Sequence, residues 1–475
     1  MTTASTAAPT AEVTEIDASA RCPLLLLLGF ALFWLLVSGA LALANLVQLT
    51  TPSFAAACSV MTFGRAQAMQ ESAFVYGWAA NAGLAVTLWI LGRLSGSPLR
   101  SLNWTTAGAL FWNLALVLGL VGIATGDATV HPWIQLPRYV LPMLLVAYGT
   151  MAVPGVLAWT GRRQDTTFAA QWYGVAALFL FPWLFSIAQM MLVFFPTRGV
   201  LQPLVAGWFV QGAWTLWLAP LLLGAAYYLL PKITGKAIRH YEFAALSFWT
   251  LLFIGAWTGG RHFIGGPIPA WVATVAGVSC ALLLFHYIVI ALNLAGAFRP
   301  AGSTVLWFMG TGVGCYVAGG LLDAVTSIRG VALITQFTHF STAQTQLAIS
   351  GAFSFTIFGA IYFLVPRLTG LAWPSLSLIR GHFFAALLGT AVLVLALAVA
   401  GYIQGHEQNN ATVEFSAIAA HVKPWLLVAT AGQAVLLFGN LLLAVHLLRA
   451  ICPSRQVTAA PANFRQPSSM EASVS

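Results

Sequence analysis

The stretch Tyr362-Phe363-Leu364-Val365-Pro366-Arg367-Leu368-Thr369-Gly370 has a near copy 135 residues earlier, Tyr227-Tyr228-Leu229-Leu230-Pro231-Lys232-Ile233-Thr234-Gly235. Each closes a long apolar run with aromatics, a proline, a cation and a glycine. Two readings fit. One is a recurring helix-end signal at a membrane interface. The other is an internal structural repeat, common in membrane bundles. The same offset carries Gln211 onto Gln346, each 20 residues before its proline. At 1.5 Å per residue that is about 30 Å, the depth of a bilayer core, so both lie near the opposite surface. Gln70 lies 23 residues before Arg93 and joins them at similar depth. Taken singly, each glutamine reads as an interface or interhelical hydrogen bond; three at one depth suggest a common role.

Of the 475 residues, 60% are hydrophobic and 7% charged. Soluble domains carry about 25% charged residues. This composition excludes a soluble enzyme, a disordered chain, a collagen and a nucleic-acid-binding domain. Cys22, Cys58, Cys280, Cys315 and Cys452 form no CxxC pair, so neither a disulfide framework nor a zinc site is expected. The chain also holds no CxxCH for c-type heme.

Twelve apolar stretches are each long enough to cross a bilayer. They run approximately over 23–49, 72–92, 104–126, 138–160, 169–195, 203–230, 242–260, 269–297, 303–325, 343–365, 381–404 and 424–448. None alternates as a barrel strand would, and lipid demands internally satisfied backbones, so helices are expected. The expected fold is all-α: a polytopic domain over 21–450, with disordered tails at 1–20 and 451–475 and one large far-side loop over 405–423. Fourteen of the 20 Lys and Arg fall before the first span, after even-numbered spans or in the C-terminal tail; six fall on the other side. Positive residues favour the cytoplasm, so both termini are expected there.

Gly64-Arg65 followed by Ala73-Phe74-Val75-Tyr76-Gly77-Trp78 and Asn81, Leu223-Gly224 with Tyr227-Tyr228 and Pro231-Lys232, Phe248-Trp249, Phe337-Thr338-His339-Phe340 and Phe358 to Arg367 are the diagnostic strings. Together they resemble the catalytic subunit of heme–copper oxidases, closest to the cbb-type branch and the nitric oxide reductases. The resemblance covers nearly the whole chain. It implies a twelve-helix bundle, two hemes and a copper held by six histidines, and oxygen or nitric oxide reduction beside partner subunits such as a c-type cytochrome.

On this alignment the low-spin heme ligand positions fall on Gln70 and Gln346. The active-site heme ligand falls on Gln344, and the copper ligands on Gln211, Arg261 and His262. One of six histidines remains. A propionate-binding arginine falls on Gln67 while Arg65 stays, and the redox tyrosine of span 7 falls on Gly255. A carboxamide is a weak donor for iron or copper, and protonated arginine has no lone pair. Neither heme nor copper is therefore expected by the usual ligation. Heme b held by the cavity walls, or by Met69, His339, His286, His382 or His446, stays an alternative. Otherwise aromatics such as Trp208, Trp214, Trp217, Trp249 and Trp257 would fill the volume, and the glutamines would bond across helices.

Glu71 and Asp323 are intramembrane acids, and Arg261 the intramembrane cation; such charges mark functional sites by default. Glu71 is expected to pair with Arg261, and to share a polar pocket with Arg65. Asp323, placed at the cytoplasmic end of span 9 if that helix starts outside, reads as a solvated helix end. Two functions follow. One is a non-catalytic structural, assembly or regulatory component of a respiratory complex, able to bind a small ligand in the old cavity. The other is a working oxidase or nitric oxide reductase subunit with unusual ligation. A solute pore on the same bundle is a third.

Overall fold

The computed structural model describes residues 11–99, 102–295 and 303–451. Among them the chain is helical, and eleven helices are long and apolar enough to cross a membrane. We number the helices by span: α1 Ala11–Thr50, α2 Phe63–Ser95, α3 Leu102–Thr125, α4 Val140–Thr160, α5 Ala169–Phe194 and α6 Leu201–Thr234. After them come α7 Tyr241–Gly255, α8 Ala270–Ala295, α9 Thr304–Thr326, α10 His339–Thr369, α11 Leu376–Gln408 and α12 Phe415–Ile451. The twelfth, α7, is shorter than the rest; Gly255 and Gly259-Gly260 cut its apolar run, and a 3₁₀ turn over Thr258–Phe263 follows.

Burial sorts the bundle into two layers. The most apolar windows of α2, α6 and α10 are 100%, 100% and 94% buried, against 44–50% for the other long helices. Three inner helices four spans apart stand inside a ring of outer ones, which present Leu and Phe to lipid as the hydropathy of the sequence requires. The duplicated motif closes two of the three in the same way. Gly235 and Gly370 adopt φ of 67° and 71° and bond to the carbonyls of Pro231 and Pro366, each at 2.9 Å. Positive φ suits glycine alone among common residues at little cost. Thr234 and Thr369 each bond the carbonyl four residues back. The motif is thus a helix-end signal in both places.

Two expectations change. Residues 11–20 are not a tail: they continue α1, with Ile16 and Ala20 buried and Asp17 paired to Arg93 at 3.0 Å while accepting from Trp89. Residues 1–10 and 452–475, the remainder of the expected tails, lie outside the described residues. The far-side loop shrinks from 405–423 to 409–414. With 33 and 37 residues, α11 and α12 span about 50 and 55 Å and project past the bilayer as a polar hairpin, tied by Glu407 and His421 at 2.8 Å.

The hairpin packs backbone to backbone on the start of α10 and on the short helix Arg329–Thr335 before it. A Cβ on Gly405 would strike the Ile334 carbonyl oxygen, and one on Gly401 the Phe340 amide. Backbone cannot swing aside. Gly401→Ala and Gly405→Ala are each expected to cost about 1–3 kcal/mol, the range for overpacking, read as a lowered thermal midpoint in detergent.

Candidate functional site

All three inner helices carry a π-helical stretch just beyond the glutamine of the shared depth. Ala73–Ala79 follows Gln70, Ala213–Leu218 follows Gln211, and Leu347–Ser354 follows Gln346. A π turn inserts an extra residue and re-aims side chains, which is why such turns gather at functional sites. The carbonyls this loosens are bonded. Asn81 donates to Gly77 at 2.7 Å, Trp112 to Tyr76 at 2.7 Å, and the Ser354 hydroxyl to Ile349 at 2.8 Å. Trp78 donates to Ser354 at 3.0 Å and locks α2 to α10.

The three positions that the resemblance assigns to copper do converge. The Gln211 carboxamide oxygen lies 3.1 Å from His262 Nε2 and 3.5 Å from Arg261 Nη2. Arg261 turns the same nitrogen to Asp323 at 3.0 Å. Gln344 closes the cluster, donating to Asp323 at 3.3 Å and to the Thr326 hydroxyl at 2.8 Å. One chain of contacts thus joins Gln211, His262, Arg261, Asp323 and Gln344. Arg261 is buried, and its Nε and Nη1 have no partner. Burial first, and the neighbouring guanidinium second, push the His262 imidazole well below its usual value, so it stays neutral.

This corrects two readings of the sequence. Asp323 is not a solvated helix end but the counter-ion of Arg261. Glu71 does not pair with Arg261: its two oxygens accept from Gln67 at 3.1 Å and Gln135 at 2.6 Å. Arg65 also leaves the pocket expected with Glu71. It donates to the Ser59 and Ala124 carbonyls at 2.6 and 3.2 Å and pins the far-side loops.

Gln70 and Gln346 meet at a second place. With Ser38, Ser350, Gln433 and Asn440 they line a slot of about 30 Å³. Ser350 donates to Gln346 at 2.8 Å, Gln70 reaches the Ser38 hydroxyl at 3.5 Å, and Gln433 donates to the Gly39 carbonyl at 3.2 Å. Gln70, Gln346 and Gln433 also line a cavity of about 840 Å³ on the same side, walled by Phe74, Trp133 and Leu397. Glu71, His131, His262 and His339 face it.

That volume would admit a heme; the chemistry of the walls would not suit one. The residues that the resemblance assigns to iron, Gln70, Gln346 and Gln344, are neutral carboxamides that are already hydrogen-bonded. No Lys or Arg lines either space among the described residues, so nothing there offsets propionate charge, and Glu71 opposes it. Nor do three or more His, Cys, Asp or Glu among the described residues gather closely enough to hold a metal ion. The displaced histidines are mostly engaged. His286 bonds Ser247 and Tyr316, each at 2.9 Å, His382 bonds Tyr362 at 2.9 Å, and His446 accepts from the Ser375 amide at 3.3 Å. Met69 is buried, and His339 faces the cavity. Trp214 and Trp217 fill the interior as expected, whereas Trp249 and Trp257 are exposed on the outer face. Gln433, Asn440, Gln135 and Thr326 were not singled out from sequence; an amide in the middle of an apolar span was the available signal for the first two.

Comparison with known proteins agrees with this architecture. The family description "Cytochrome C and Quinol oxidase polypeptide I" matches residues 23–435. Cytochrome c oxidase subunit 1 of Rhodobacter capsulatus is 23% identical over 87% of this chain and 82% of its own length. A cbb3-type cytochrome c oxidase subunit of Stutzerimonas stutzeri is 21% identical over 82% and 86%. A nitric oxide reductase subunit of the same organism is 25% identical over 48% of each chain. Among solved structures, a heme–copper terminal oxidase dimer superposes with a TM-score of 0.72 at 14% identity, covering 96% of this chain and 86% of that one. With a family match across most of its length and the same fold, this chain belongs to the cytochrome c and quinol oxidase polypeptide I family.

Proposed function

We propose that this chain is a metal-free, non-catalytic member of that family, acting as a structural, assembly or regulatory component of a respiratory complex. The observation that carries the reading is the Gln211–His262–Arg261–Asp323–Gln344 cluster. A guanidinium stands among the side chains that a copper site would need, and it repels a cation instead of binding one. On this reading Gln70 and Gln346 stand at low-spin heme positions and Gln344 at that of the active-site heme. The relatives are named as subunits, which favours a role inside an assembly, with a c-type cytochrome subunit among the candidate partners.

A working oxidase or nitric oxide reductase subunit is the second reading, favoured by similarity over most of the relatives' length. Oxygen and nitric oxide consumption by the purified chain, supplied with reduced cytochrome c or a quinol, separates the two. No turnover above a protein-free control is expected. Turnover abolished by Arg261→Leu would overturn the non-catalytic reading.

The charge bias further proposes both termini in the cytoplasm of a bacterial inner membrane. Cys22 and Cys58 are both exposed, the first in the N-terminal third of α1 and the second in the connection that follows α1. A membrane-impermeant maleimide should label Cys58 in intact cells and Cys22 only after lysis; the reverse pattern would invert the topology.

A further inference from the structure

Resting on the metal-free reading, we propose that the large cavity binds one uncharged, hydroxyl-bearing amphiphile entering from the far-side leaflet. The cavity of about 840 Å³ falls within the usual range for small-molecule sites. Its inner wall is amide-rich, with Gln67, Gln70, Gln346 and Gln433, while Phe74, Ile349 and Leu397 supply apolar contact. Asn45 lines this space, is buried at 7% exposure, and its side-chain oxygen has no hydrogen-bond partner. A buried acceptor without a donor is costly, and a ligand hydroxyl supplies that donor. The rim is apolar and exposed at Leu49, Phe63 and Val130, which offers an acyl chain further contact where the cavity opens.

Charge narrows the class. No Lys or Arg lines the cavity among the described residues, so a carboxylate or phosphate finds no counter-ion there. Glu71 would repel it at low dielectric. A cation gains little, because both Glu71 oxygens already accept from Gln67 and Gln135. A neutral head with hydroxyl donors and one apolar tail remains.

The probe is 1-monooleoylglycerol, with oleate as its charged counterpart, added to the purified full chain and followed by native mass spectrometry. One monooleoylglycerol per chain is expected to be retained, at least tenfold more tightly than oleate. Asn45→Leu should weaken retention about tenfold, and Leu397→Trp, which fills the cavity, should abolish it. Gel-filtration profiles identical to the parent's confirm that each variant folds. No saturable adduct, equal retention of oleate, or an adduct indifferent to Leu397→Trp would overturn the proposal. A heme assay on the same sample keeps the two readings apart. Heme in the parent overturns the metal-free reading, and this one with it; no heme and no adduct overturns this one alone.

Discussion

Asp323→Leu is expected to destabilise the protein by about 3–5 kcal/mol, because it leaves the Arg261 charge buried without its counter-ion. Two guanidinium nitrogens already lack partners, so Gln211 at 3.5 Å is the remaining acceptor. Removing both charges should behave differently. Arg261→Leu with Asp323→Leu is expected to recover most of the loss, since replacing a buried ion pair by apolar groups is often neutral or better. Denaturation in mixed micelles measures all three variants. A double variant as unstable as the sum of the singles would show that the pair is not coupled. By the same logic Glu71→Gln and Arg261→Gln should be additive within about 0.5 kcal/mol, because Glu71 is held by two glutamines and does not touch the arginine.

The second large effect is a gain. If Gln70 and Gln346 stand at low-spin heme positions, Gln70→His combined with Gln346→His places two imidazoles in the wall of one cavity of sufficient volume. The double variant is expected to take up close to one heme b per chain, seen as a reduced-minus-oxidised α-band that the parent lacks. Each single variant should remain close to heme-free, since one imidazole opposite a carboxamide is a poor axial pair. A heme-free double variant with an intact gel-filtration profile would move the low-spin iron position away from this pair of residues.

Much of the fold was legible because lipid leaves the backbone few choices. Apolar runs of membrane length mark the helices, and the Pro-cation-x-Thr-Gly ends offer a helix-end signal. The π turns were not legible. Inserting one residue into a helix that is apolar all round leaves no periodicity to break, yet it is what sets the direction of Gln70, Gln211 and Gln346. Helix pairing was equally hidden. Asp323 lies 62 positions from Arg261 in the chain, and only the fold, which brings the end of α9 within reach of the 3₁₀ turn after α7, makes them partners. Glu71 was the more obvious acid because it adjoins Gln70, but sequence adjacency to a site says nothing about which face a side chain takes. The polar ends of α11 and α12 read as loop for a related reason. Helices that leave the membrane lose their hydropathy signal while keeping their hydrogen bonds.

A site centred on an arginine–aspartate pair should hold no redox metal. The direct measurement is heme by alkaline pyridine assay and copper by mass spectrometry, on the intact chain purified from its own membranes without added cofactor. A metal-free site predicts that both fall far below one equivalent per chain. Stoichiometric heme or copper would contradict it.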